Sequence, residues 1–92
     1  MMFSVRWARS ALNELAEIWV GSSSDIRSEI TAAAAKIDRL LDASPLDIGE
    51  SRSTGIRVLF ADGLAVEYHV LLDDRRVTVV RVWRVRRNRH GT

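Results

Sequence analysis

Glu67 and His69 stand two residues apart in the run Leu64 to Leu72, a spacing that puts both side chains on one face of a strand. Arginines at 52, 57, 81 and 84, a further acid at Glu50 and a second imidazole at His90 complete the set of groups that could act on a phosphate. Cleaving a phosphodiester through its 2′-hydroxyl without metal needs a base, a proton donor for the leaving oxygen, and positive charge against the phosphorane. Glu50 or Glu67 suits the base. His69 or His90 suits either proton role, because an imidazole titrates at about 6.5 when unperturbed. Arg52, Arg57, Arg81 and Arg84 suit the phosphate, which a guanidinium grips with two donors at once. A solvated polar strand face accounts for Glu67 and His69 more readily than catalysis does, and His90 lies close to the end of the chain, where order is commonly lost.

Binding chemistry competes with catalysis in the same region. The last twelve residues hold Arg81, Arg84, Arg86, Arg87 and Arg89 and no acid. Residues 1 to 50 carry five Lys/Arg against eight Asp/Glu, whereas residues 51 to 92 carry nine against four. The net charge of +2 conceals that asymmetry. Positive charge gathered at one end offers a field for an anionic partner. Trp83 among these arginines either packs in a core or stacks on a base. Thirteen of the fourteen basic residues are arginine, the side chain suited to bidentate contact with phosphate or carboxylate.

These groups have to be held by a small scaffold. A chain of 92 residues is read as one domain, 1–92, with residues 81–92 as its basic C-terminal segment. Such a domain buries about 60 to 65% of its unfolded surface. An apolar share of 47% with one proline excludes intrinsic disorder. No stretch approaches the roughly 18 apolar residues that span a bilayer, so no membrane partner is expected. The chain has no cysteine, which removes disulfides, zinc-thiolate sites and thiol nucleophiles and suits a cytoplasmic protein. With two histidines far apart and no glycine-rich phosphate loop, neither a metal nor a cofactor is expected.

Phe3 to Trp7 alternates apolar and polar residues as a short strand does. From Ala8 to Val20 the apolar residues recur at three- and four-residue steps, the mark of an amphipathic helix. Gly21-Ser-Ser-Ser24 breaks it, and Ser22 with Asp25 three residues on resembles a capping box for a second helix. That helix keeps one apolar face from Ile26 to Leu41 and stops before Pro45. Residues 44 to 55 read as a long loop. Three apolar runs follow, Ile56 to Ala61, Leu64 to Leu72 and Arg76 to Val85, the first two joined by the tight-hairpin pair Asp62-Gly63. Valines at 77, 79, 80, 82 and 85 break strict alternation, as a bulge or a strand buried on both faces would. Trp7 and Trp19 are expected in the core. The order β-α-α-β-β-β predicts an α+β domain: a four-stranded antiparallel sheet with a helical hairpin on one face.

In this order and length, several short segments resemble the RelE/ParE superfamily of toxins from bacterial type II toxin-antitoxin systems. They are Val5-Arg-Trp-Ala8 with Leu12 and Leu15-Ala-Glu-Ile18, Ile37-Asp-Arg-Leu-Leu41, Pro45 with Gly49-Glu50 and Arg52, Arg57-Val-Leu59, Val66-Glu-Tyr-His-Val70, and Val79-Val-Arg-Val-Trp83 followed by Arg86-Arg87. The resemblance implies growth arrest, and neutralisation by a cognate antitoxin protein that wraps a helix and an extended segment around the toxin. One branch of the superfamily cleaves messenger RNA on the ribosome with a basic cluster and an acid/base group; another poisons DNA gyrase without that cluster. This chain has Ala65 where nuclease members typically carry an arginine, and lacks their lysines and their tyrosine near the C-terminus. Arg81-Val-Trp83 with Arg86-Arg87 resembles the gyrase-directed pattern. The expected function is therefore a toxin that binds gyrase. The alternative is a ribosome-dependent mRNA endonuclease using Arg57, Arg81, Arg84 and one of Glu50, Glu67 or His90. A third reading is an inactive toxin fold that only binds an antitoxin or DNA. For binding to nucleic acid or a protein partner the candidate contacts are Arg52, Glu67, His69, Trp83, Arg86, Arg87 and Arg89.

Overall fold

The computed structural model describes residues 3–85. Arg86, Arg87, Arg89 and His90 lie outside the described residues. The elements in chain order are β1 (Ser4–Trp7), α1 (Arg9–Val20), α2 (Ser24–Ala43), β2 (Glu50–Ser53), β3 (Ile56–Ala61), β4 (Leu64–Leu71) and β5 (Arg76–Arg84). The class is α+β, as the order of apolar patterns predicts. The sheet differs from the expectation in two ways: it has five strands, in the order β1-β5-β4-β3-β2, and it is mixed, because β1 runs parallel to β5.

Both differences have physical causes. In β2, Glu50-Ser-Arg-Ser53, all four residues are exposed, so it carries no apolar alternation and reads as loop. Backbone pairing to β3 alone makes it a strand, with an irregularity between Ser51 and Ser53. The parallel pairing follows from connectivity. The α1-α2 hairpin crosses one face of the sheet after β1, and such a crossover is what parallel neighbours require.

One face of the sheet packs against the helices. Leu64, Val66, Tyr68 and Val70 of β4 and Val77, Val79 and Val82 of β5 meet Ala11 of α1 and Ile30, Ala33, Ile37 and Leu41 of α2. The hairpin Asp62-Gly63 forms as expected, with φ of +52° and +89°, the left-handed pair that a two-residue turn of this hand demands. Helix α2 begins one residue later than the capping-box reading. Ser23 is the N-cap, its hydroxyl accepting from the Ile26 amide at 3.4 Å, while the Ser22 hydroxyl donates back to the Ile18 carbonyl at 2.7 Å. Trp7 packs against the core, and its indole donates to Asp38 on α2 at 3.0 Å. Trp19 does not enter the core. It stays 41% exposed on the outside of the helical hairpin, stacked under Arg27 with 4.4 Å between guanidinium carbon and ring centre. No helix among the described residues is long and apolar enough to cross a membrane.

Candidate functional site

Among the described residues, no helix covers the second face of the sheet. Directly paired residues share a face, so the register identifies its occupants: Ala65 opposite Trp83, Glu67 opposite Arg81, and His69 opposite Thr78. Arg6 of β1 lies beside Thr78, and Phe60 of β3 beside Ala65. The arginine side chain of residue 81 reaches over the Trp83 ring at 5.7 Å.

A bulge creates this arrangement. Val77 and Val79 point to the helices, and strict alternation would send Arg81 the same way. Instead Tyr68 pairs with Val79 and Glu67 pairs with Arg81, which leaves Val80 as an extra residue in β5. The parity of the strand resets, Val82 returns to the core at 2% exposure, and Arg81 and Trp83 turn outward. One inserted residue re-aims the side chains that follow.

The groups expected to cleave RNA do not share one surface. Arg57 pairs with Tyr68 and therefore lies on the helix side of the sheet. Its guanidinium is taken up by the loop after α2, donating to the Ile48 carbonyl at 3.2 and 3.1 Å and to the Gly49 carbonyl at 3.3 Å. Arg84 pairs with Leu64, so it too falls on the opposite side from Arg81 and Trp83. Glu50 shares the open face through its pairing with Val58, yet it sits on the edge strand, three strand spacings or roughly 14 Å from Arg81. Its carboxylate lies 3.9 Å from Arg52. The structure brings together Glu67, His69, Arg81 and Trp83, and keeps Arg52, Arg57, Arg84 and Glu50 apart from them.

Ala65 is fully buried, at 0% exposure. An arginine at this position would meet Phe60 and Trp83 across the two neighbouring strands. Tyr68, also at 0%, donates its hydroxyl to the Pro45 carbonyl at 2.8 Å and lies 3.0 Å from the Ile48 carbonyl. Burial raises its pKa above the ordinary 10.0, with Arg57 opposing the rise. Tyr68 and Arg57 thus fasten residues 45 to 49 to the sheet, a supporting role that the sequence reading did not give to either.

Three features escaped the sequence reading, two on the open face and one on the helical side. Arg6 and Arg76 extend the basic face toward β1, as the pairings Arg6 with Thr78 and Ser4 with Arg76 show; the alternation of Phe3 to Trp7 already placed Arg6 outward. Phe60, 48% exposed, adds an aromatic ring to it. On the helical side, Leu12, Leu15, Ala16, Trp19, Ile30 and Ala34 line a groove of about 350 Å³ between α1 and α2.

The fold, a mixed sheet in the order 1-5-4-3-2 backed on one side by a helical hairpin, is similar to that of chains in several solved toxin and toxin-antitoxin structures. A chain of the chromosomal ParDE toxin-antitoxin system from P. aeruginosa superposes with a TM-score of 0.72 at 19% identity, covering 92% of this chain and 98% of that one. The RelBE2 toxin-antitoxin complex from Mycobacterium tuberculosis contains a chain matching at 0.71 and 18% identity, over 91% and 99%. The isolated E. coli RelE toxin matches at 0.63 and 17% identity, over 97% and 90%. No protein-family model and no curated protein matches the sequence.

Proposed function

We propose that this protein is the toxin of a type II toxin-antitoxin module, that a cognate antitoxin neutralises it, and that it arrests growth by binding and poisoning DNA gyrase. The observation that carries the choice of target is the dispersal of the nuclease set. Catalysis of transesterification needs its base, acid and phosphate clamps within hydrogen-bond reach of one scissile group. Arg57 and Arg84 face away from Arg81, Arg57 is occupied by loop carbonyls, and a buried alanine stands at position 65. The open face, which also carries Glu67 and His69, presents a guanidinium over an indole, a surface suited to binding. The groove between α1 and α2 is the kind of surface into which an amphipathic antitoxin helix fits; ParDE and RelBE, with the same fold, are toxin-antitoxin pairs.

Ribosome-dependent mRNA cleavage is the second reading, supported by Glu67, His69 and Arg81 lying side by side on β4 and β5. Inducible expression in a bacterial host, with pulse-labelling of DNA and protein synthesis in the first minutes, separates the two. Gyrase poisoning stops DNA synthesis first, with double-strand breaks trapped on gyrase. An early stop in protein synthesis alone, with cut messenger RNA, removes gyrase as the target.

A further inference from the structure

The bulge that turns Arg81 and Trp83 outward lies where β5 loses its neighbour. β1 ends at Trp7, opposite Val79, and beyond that point helix α1 runs beside the strand. The Ala8 amide donates to the Val79 carbonyl at 2.8 Å, the Ser10 hydroxyl donates to the Val80 carbonyl at 3.0 Å, and the Val82 amide donates to Oε1 of Glu14 at 2.8 Å. Ser10 and Glu14 are four residues apart, one helical turn or about 6 Å. Val80 and Val82 are two residues apart on a strand, about 6.6 Å. The two repeats match, so α1 presents a hydroxyl and a carboxylate to the strand where a neighbouring strand would present backbone groups.

The second carboxylate oxygen of Glu14 lies 4.0 Å from Nε of Arg81. With side chains 35% and 61% exposed, this ion pair adds little stability. Its effect is orientation. One carboxylate fixes the backbone after the bulge through Val82 and draws the Arg81 guanidinium to the end of β5 where it overlies Trp83.

We infer that Glu14 is a positioning residue: from α1 it fixes the β5 bulge through the Val82 amide and aims Arg81 beside Trp83 for an anionic surface on the target. The role of the aimed arginine rests on the proposed function, whereas the clamp itself does not. Helix α1 also supplies Leu12, Leu15, Ala16 and Trp19 to the groove on its other side, so a partner seated there contacts the same helix that holds the arginine.

Two variants in full-length protein separate the parts of the clamp. Glu14→Ala removes both contacts; Glu14→Gln keeps an acceptor oxygen for Val82 and removes the charge. Amide exchange at Val82 is expected to quicken about tenfold in Glu14→Ala and to stay within about twofold of the parent in Glu14→Gln, since one lost hydrogen bond opens a local amide by that order. The Arg81 Nε–H and Trp83 indole resonances shift in both variants, while the Trp7 indole, bonded to Asp38, stays in place. Growth arrest weakens in both, toward the level of Arg81→Ala. Unchanged Val82 exchange in Glu14→Ala, or unmoved Arg81 and Trp83 resonances in Glu14→Gln, overturns the assignment. If Glu14→Ala fails to fold, Glu14→Gln alone decides it through the Arg81 and Trp83 resonances. A parent protein that does not arrest growth defeats the toxin reading and leaves the resonance test of the clamp intact.

Discussion

Tyr68 and Gly49 show how much of this molecule hangs on single atoms beneath the loop after α2. The Tyr68 hydroxyl has one proton to offer two carbonyls, those of Pro45 and Ile48, and its burial disfavours the phenolate. Because the folded pKa stands above that of the unfolded chain, Tyr68 contributes stability in full below the ordinary value of 10.0. That contribution is lost as pH rises past 10, where the unfolded chain ionises first. Tyr68→Phe is expected to lower stability by about 1 to 2 kcal/mol at neutral pH. In urea titrations it should also lack the tyrosine-linked part of the alkaline decline; a decline of the same size in both proteins would show that Tyr68 is not its source. At Gly49, φ is +73° and an added Cβ would lie 2.6 Å from the Val58 carbonyl oxygen and 2.9 Å from the Tyr68 hydroxyl. Gly49→Ala should therefore cost about 3 kcal/mol, from backbone strain and overpacking together, measured by the same denaturation. At this scale the sequence was readable where alternation could be followed. Glu67 and His69 emerge on one face because they alternate with valines and a buried tyrosine, whereas Arg81 and Trp83 reach that face only through the bulge at Val80. Arg57 also carried a signal, since it shares parity with Leu59 and Ala61; an arginine on an apolar face is one with internal carbonyls to satisfy.

Helix α1 ends at Gly21, whose amide donates to the Glu17 carbonyl at 3.1 Å, but its last carbonyls are also met from outside the helix. It has no basic residue in its last turn. Arg27, one turn into α2, reaches back and donates to the Trp19 carbonyl at 2.8 Å and the Val20 carbonyl at 3.0 Å while lying over the Trp19 ring. A remote guanidinium thus answers the terminal carbonyls that every helix leaves open. Arg27→Ala is expected to lower stability by about 2 kcal/mol through the charged hydrogen bonds and the cation-π contact. Arg27→Lys should recover less than half, because an ammonium cannot make the planar fork; full recovery by lysine would mean that charge alone closes the helix. This dependence on a partner thirteen residues away from α1's middle explains why Trp19 was expected in the core. Periodicity assigns a tryptophan to the apolar stripe, and only the position of α2 decides whether that stripe is covered along its whole length. The same reasoning separates what was legible among the strands. Asp62-Gly63 fixes its hairpin locally, and the broken valine pattern of β5 left a bulge and a strand buried on both faces open, of which the structure has the bulge. β2 is held by pairing rather than by side-chain burial, and the parallel partnership of β1 with β5 joins segments seventy residues apart that carry no mark of each other.

Across the whole molecule, β5 joins the two ends of the described chain, with β4 on one side and β1 followed by α1 on the other. That placement divides the arginines into two populations according to the face they occupy. Arg57, bound to loop carbonyls on the helix side, belongs to the architecture; Arg81, 61% exposed in its side chain and turned to the open face by the bulge, belongs to the surface proposed to meet a target. Stability and growth arrest should therefore respond in opposite order. Arg57→Ala strips three carbonyl contacts and is expected to cost about 2 kcal/mol, roughly 10 °C in Tm for a domain of this size. Arg81→Ala and Trp83→Ala, changing partly exposed side chains, should alter stability by less, about 0.5 kcal/mol for the arginine, while relieving growth arrest on induction. Thermal melts and growth curves on the three variants, expressed to equal levels, make the comparison. Arrest that survives Arg81→Ala and Trp83→Ala but fails in Arg57→Ala, with Tm unmoved, would assign the working surface to the other side of the sheet. It would also return Arg57 to the phosphate-binding role that its carbonyl contacts argue against.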